Sequence, residues 1–186
     1  MTVLHVLWQP ILLSTVFVFI ASSLLHMAIP WHKNDYKGLP DQGKVIDLLR
    51  PLAIPPGDYM VPHCTTREEM RTPEFAEKMA KGPVMVLTVI PNGPFTMGRS
   101  LGLWALYLLA VSYMTAYTTM HGLPTGAGYV RVFHVAGMAA FLGYAAALWQ
   151  TSIWYHRSWI TVLKDTVDGL VYAGLTAGTF GWLWAR

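Results

Sequence analysis

Val6-Leu-Trp-Gln-Pro-Ile-Leu-Leu-Ser-Thr-Val-Phe-Val-Phe-Ile-Ala-Ser-Ser-Leu-Leu-His-Met-Ala-Ile29 runs without a single Asp, Glu, Lys or Arg and stops at Pro30. A bilayer core takes roughly 20 apolar residues as a helix, so the stretch reads as a membrane span. Three further apolar segments follow, at about 101–120, 130–155 and 165–184, each bounded by polar or aromatic residues. The predicted fold class is all-α membrane: four transmembrane helices, with a small α+β extramembrane segment between spans 1 and 2. The expected division is 1–30 for the first span, 31–98 for the extramembrane segment and 99–186 for a three-helix transmembrane unit.

Composition agrees. The 186-residue chain is 54% hydrophobic and 12% charged, against roughly 25% charged in soluble domains. The net charge is only +3, with basic and acidic residues mixed in the polar segment, so no patch for nucleic acid is present. The lone Cys64 excludes an intrachain disulfide. The first span has no Lys or Arg ahead of it and continues past Ala21-Ser-Ser23 through Leu24, Leu25, Met27 and Ile29. A retained helix is therefore expected rather than a cleaved signal peptide.

Trp8, Trp31, Trp104, Trp154, Trp159, Trp182 and Trp184 lie near span ends, where amphipathic rings prefer the interface. With four spans, Lys33, Lys37, Lys44, Lys81, Arg99, Arg157 and Lys164 fall on one side, and Arg131 and Arg186 on the other. The basic side is expected to be cytoplasmic, which places the 31–98 loop there and both termini outside.

Within 31–98, a helix is expected from Asp41 or Gln42 to Pro51, a strand over 58–61, a helix opened by Thr72-Pro-Glu and closed at Gly82, and a strand over 84–90. In the spans, Gly174, Ala177, Gly178 and Gly181 form one small-residue stripe and Ala136, Ala140, Gly143 and Ala147 another. Small residues let helices approach closely in lipid, so these stripes are expected to face each other or span 2. Polar stripes, Asp168-Tyr172-Thr176-Thr179 and Trp8-Thr15-Ser22-His26, should point into the bundle or to a partner.

Intramembrane ionisable residues are functional hypotheses. Asp168, one turn inside the fourth span, and His26, one turn from the end of the first, fall on the same side, with Tyr172 one turn deeper. They form the candidate intramembrane site, read either as a proton-handling pair or as a buried hydrogen bond. Met60, His63 and Cys64 cluster as soft ligands but lack the second Cys and spacing of a zinc site. His121 and His134 are the residues a haem would use, yet no histidine pair sits deep at matched depth in two spans. No cofactor is expected, and no catalytic motif appears.

Ile29-Pro-Trp-His-Lys-Asn-Asp35, Pro55-Pro-Gly-Asp-Tyr-Met60, Lys81-Gly-Pro-Val84 and Leu175-Thr-Ala-Gly-Thr-Phe-Gly-Trp-Leu-Trp184 resemble a group of uncharacterised bacterial four-span integral membrane proteins. The resemblance covers nearly the whole chain. It implies a bacterial inner-membrane location and carries no activity or site residues. The expected function is that of a non-catalytic accessory or scaffold subunit, partnered by lipid and by other membrane subunits or further copies of itself. The alternatives are a small proton-coupled carrier using the Asp/His pair and a redox or metal-handling protein.

Overall fold

The computed structural model describes residues 3–94 and 96–184; Arg186, counted above for orientation, lies outside them. In chain order the helices are α1 Val3–Ser23, α2 Gln42–Leu49, α3 Arg67–Met70, α4 Pro73–Lys81, α5 Gly98–Gly122, α6 Tyr129–Tyr144, α7 Trp149–Tyr155 and α8 Trp159–Trp182. The strands are β1 Gly57–Val61 and β2 Met85–Val89. Two compact units result, one from residues 1–36 and 96–186, the other from 37–95. The boundaries fall at Tyr36 and Thr96 rather than at 31 and 98 because 31–36 fold back onto the helical unit.

Among the described residues three segments, not four, are both long and apolar enough to cross a membrane: His5–Ala28, Gly98–Gly122 and Tyr129–Tyr155. The fourth expected span is a 24-residue helix that starts earlier, at Trp159, and so takes in Lys164 in addition to Asp165 and Asp168. Those three charges lower its apolarity. The third span is also not continuous. It breaks at Ala145 (φ −132°, ψ −33°), passes through a 3₁₀ turn at Ala146–Leu148 and resumes as α7.

Pro10 shapes α1. A proline inside a helix removes one hydrogen bond and its ring crowds the carbonyl four residues back, here Val6. The backbone leaves helical geometry at Leu7 (φ −119°, ψ 19°). The expected stripe Trp8-Thr15-Ser22-His26 is accordingly broken. Trp8 points outward, 53% exposed, whereas Thr15 donates to Ser112 of α5 at 3.3 Å and Ser22 accepts from the Trp104 indole at 2.9 Å. His26 leaves the stripe because residues Leu24–Ala28 form a π turn, which shifts the helical phase.

The helical unit packs α1, α5, α6 and α8 together, with α6 against α8 the most extensive pairing. Ala136, Ala140, Ala173 and Ala177 are buried along it. Gly137 allows that approach: a Cβ there would lie 3.2 Å from the Ala177 methyl. The predicted stripes are only partly in contact. Gly143 faces Val111 of α5, Ala147 is exposed, and Gly174 has nothing within 4 Å of where a Cβ would sit. The tightest approach is at Gly169, unmarked in the stripe reading, where a Cβ would meet the Ala145 methyl at 2.6 Å. The polar stripe of α8 does turn inward: Asp168, Tyr172, Thr176 and Thr179 are all buried.

In the other unit β1 and β2 pair antiparallel, Gly57 opposite Val89 through Val61 opposite Met85. The Thr72 hydroxyl accepts from Phe75 N–H, Pro73 occupies the first turn, and Gly82 closes α4 at φ +59°. These are the cap residues that the chain's spacing predicts. None of the described residues of this unit is buried, so it has no sizeable core of its own.

The two α8 glycines should respond oppositely to a methyl group. Gly169→Ala forces the helices apart at a rigid contact, at a cost of about 1–3 kcal/mol. Gly174→Ala meets open space and should be neutral or stabilising by about 0.5 kcal/mol, because glycine is a poor interior helix residue. Thermal unfolding of the two variants in the same detergent checks the difference in sign.

Candidate functional site

The site begins where α1 ends. After the π turn, Ile29 is extended (φ −98°, ψ 132°), as the residue before a proline prefers. Pro30 then opens a 3₁₀ turn, Pro30–His32. The reversal carries Trp31, His32 and Asp35 to the first turns of α8, where Lys164, Asp165 and Asp168 occupy neighbouring helical positions.

A continuous hydrogen-bonded chain joins the two elements. Lys164 Nζ donates to the Trp31 carbonyl at 2.8 Å and to Asp35 Oδ1 at 2.7 Å. His32 Nδ1 donates to Asp35 Oδ2 at 2.5 Å, and His32 Nε2 meets Asp168 Oδ2 at 2.7 Å. The Asp35 and Asp168 side chains are only 8% and 4% exposed, and charges so placed persist only when paired. Arg157 extends the cluster by pairing with Asp165 at 3.0 Å. Burial alone would lower the pKa of His32, but the hydrogen bonds and charges of Asp35 and Asp168 outweigh it and hold the imidazole above its ordinary value. For Asp35, burial works upward, and the hydrogen bonds and charges of Lys164 and His32 bring the carboxyl below its ordinary value.

Beside this chain lies an open cavity of about 540 Å³. Its walls include Trp104 and Tyr107 of α5, Tyr144 of α6, and Tyr172 of α8, with Asp165, Asp168 and His26 around one end. Tyr172 is 4% exposed, and its hydroxyl has no hydrogen-bond partner among the described residues. Its ring meets those of Tyr144 and Trp104 edge to face, with centroids 5.8 and 6.3 Å apart.

The three residues of the predicted intramembrane site, His26, Asp168 and Tyr172, thus line one cavity. Asp168 takes its hydrogen bond from His32 rather than from His26. His26 instead stacks on His32, centroids 4.3 Å apart and planes within 10°, while its Nδ1 donates to the Ser22 carbonyl at 3.1 Å. Sequence reasoning passed over His32 and Asp35, which read as an ordinary polar loop after a span. The available signal was their three-residue spacing immediately beyond a proline, which puts both on one side of a turn.

The other candidates stay apart from this site. Met60 is an exposed β1 residue, His63 is exposed and Cys64 is a half-buried free thiol. Neither His63 nor Cys64 joins a three-ligand group among the described residues. His121 is exposed, donates to the Tyr117 carbonyl at 2.8 Å and lies against that ring. His134 is exposed beside Phe133.

No protein-family model, curated protein or solved structure matches the chain.

Two of the three ionic pairs of α8 should differ in weight. Lys164→Met leaves the buried Asp35 with His32 as its remaining partner and should cost about 3 kcal/mol. Arg157, whose side chain is 38% exposed, should cost under about 1 kcal/mol when replaced by Met. Paired thermal-unfolding curves in detergent check the order; equal losses would mean that the Lys164–Asp35 contact does not anchor the junction.

Proposed function

We propose that this chain is a four-span membrane protein whose working part is the cavity between α1, α5, α6 and α8, the binding site of a small carrier. Its ligand has a mostly apolar body and a polar end. One observation carries the reading: aromatic walls converge with His26, Asp165, Asp168 and the unpartnered Tyr172 hydroxyl on a single space of about 540 Å³. Largely apolar pockets with a few convergent polar groups are the usual form of small-molecule sites.

α8 serves as the fourth span in this reading. Its three charged residues are each paired, Lys164 and Asp168 in largely buried contacts and Asp165 with the partly exposed Arg157, which lowers the cost of placing them near the membrane. From Gly169 to Trp184 it carries no charge. Lys33 and Lys37 beyond α1 and Arg157 and Lys164 around the start of α8 support a cytoplasmic side for this cluster, and the resemblance to bacterial four-span proteins supports the inner membrane. An accessory-subunit role would draw on outward apolar residues such as Leu163, Val167 and Leu170. Lipid covers such a face equally well, so the cavity favours the carrier.

The test is mass spectrometry of small molecules extracted from protein purified in mild detergent, beside Ser100→Trp, which blocks the cavity. A near-stoichiometric amphipathic molecule is expected in the wild type and not in the variant. Tyr172→Phe should weaken its binding roughly tenfold, the loss of one hydrogen bond. The reading fails if the wild type carries no such molecule and linear amines, alcohols and acids stabilise wild type and Ser100→Trp alike.

A further inference from the structure

His32 lies six positions after His26, which in a regular α-helix would place them about 120° apart on different faces. The π turn at Leu24–Ala28 and the proline-led 3₁₀ turn at Pro30–His32 instead bring the two imidazoles face to face. π turns inside helices recur at functional sites. Asp168 completes a group in which one ligand atom from each of the three residues lies within 4.8 Å of the others.

We propose that His26, His32 and Asp168 bind a divalent transition-metal ion of the zinc class. Two imidazole nitrogens and one carboxylate oxygen are the three-ligand set such an ion uses when one position is left open. Bonds of about 2.1 Å in a tetrahedron put ligand atoms about 3.4 Å apart. The His32–Asp168 contact must therefore open from 2.7 Å, and His26 must tilt out of its stack on His32 and close in by no more than about 1.4 Å, so that the in-plane lone pairs of both rings converge on the ion. The ion takes the place of the His32–Asp168 hydrogen bond.

The surrounding contacts fit this role. Metal-bound histidines donate their other ring N–H to a carboxylate or backbone carbonyl, which fixes the tautomer and aims the ring. Both histidines do so here. His26 Nδ1 donates to Ser22 O at 3.1 Å, and His32 Nδ1 donates to Asp35 Oδ2 at 2.5 Å. Both Nε2 atoms are thereby presented as ligands. Asp35 is itself held by Lys164. A second group, His32, Asp35 and Asp165, meets the same distance limit. The Lys164 ammonium bonded to Asp35 would repel a cation there, so the ion belongs with His26, His32 and Asp168. His26 and Asp168 both line the cavity, so the open coordination position faces that space. The ion site does not depend on the cavity's organic occupant.

The experiment uses full-length, tag-free protein in detergent, stripped with a chelator and dialysed against Zn²⁺, Co²⁺ or Mg²⁺ alone. Metal content is read by elemental mass spectrometry, and bound Co²⁺ by its visible absorption. One Zn²⁺ or Co²⁺ per chain and no Mg²⁺ are expected. His26→Ala should lower affinity at least a hundredfold, and Asp35→Asn, which acts through His32, about 10–100-fold. The pair His63→Ala and Cys64→Ser should leave affinity unchanged. Asp168→Asn should abolish binding; should that variant fail to fold, His26→Ala decides, because His26 is exposed and keeps only one hydrogen bond. Sub-stoichiometric binding by the wild type, full binding by His26→Ala, or loss on changing His63 and Cys64 would each overturn the site. None of these outcomes bears on whether the cavity holds an amphipathic molecule.

Discussion

The contact between His32 and Asp168 is the constraint on which the helical unit depends. A carboxylate that is 4% exposed on its side chain is tolerated in a bundle core only with a fixed hydrogen-bond donor. His32 supplies one, and it can do so only if the chain reverses after α1. That reversal needs Ile29 extended and Pro30 opening the turn. Asp35 then fixes the other ring nitrogen of His32, and Lys164 returns the chain of contacts to α8, one turn before Asp168. The end of α1 is thus tied to α8 at two points on one face, although 136 residues separate His32 from Asp168. Loss of either end of this chain leaves a buried charge with one partner instead of two, which is costly in a bundle core.

The rest of the bundle relies on close approach of small side chains and on a few interhelical hydrogen bonds, as expected where lipid removes the hydrophobic incentive for helices to associate. Ser14 and Thr15 meet Ser112, Trp104 reaches Ser22, and Tyr107 bonds the Gly143 carbonyl. Gly143 and Gly169 set the separations of α6 from α5 and of α8 from the α6–α7 break. At that break the chain yields at Ala145 while α8 runs past it as one unbroken helix. Trp149, just beyond, donates to Thr166 at 3.0 Å, so the displaced segment is re-anchored to the helix it had to avoid.

Much of this was legible in the sequence, and the reasons for the rest are local. Apolar runs bounded by Pro30 and by the Gly- and Pro-rich loop after His121 located the long helices, because length and burial dominate there. Thr72, Pro73 and Gly82 marked α4, because caps act through a single residue. The count of spans was harder. Apolar periodicity favoured a fourth crossing, while Lys164, Asp165 and Asp168 lower the same helix below the apolarity of the other three. The small-residue stripes misled at Gly174 and Ala147, since spacing gives a shared face but not which face finds a partner. Asp168, His26 and Tyr172 could be named because ionisable or hydroxyl-bearing residues stand out in apolar runs. His32 and Asp35 could not, because outside a span the same residues are ordinary, and only a change from α-helix to π turn to 3₁₀ turn within nine residues, Leu24 to His32, puts them inside the bundle.

That change of helix type also explains why the polar groups gather at one end of the cavity. A straight α1 would have carried His26 onto a face of its own and left His32 out in the following loop. The π turn widens the helix by one residue at the level where α8 brings in Asp168, and the added space is what a second imidazole needs to stack. The cavity opens beside that end of α1, where Ser22, Ser100 and Leu101 border it. The ionic chain follows from that local departure from α-helical geometry, and the cavity takes its polar residue His26 from the same turn. A variant that restored regular helix through residues 24–28 would be expected to lose the ionic chain and the cavity's His26 together.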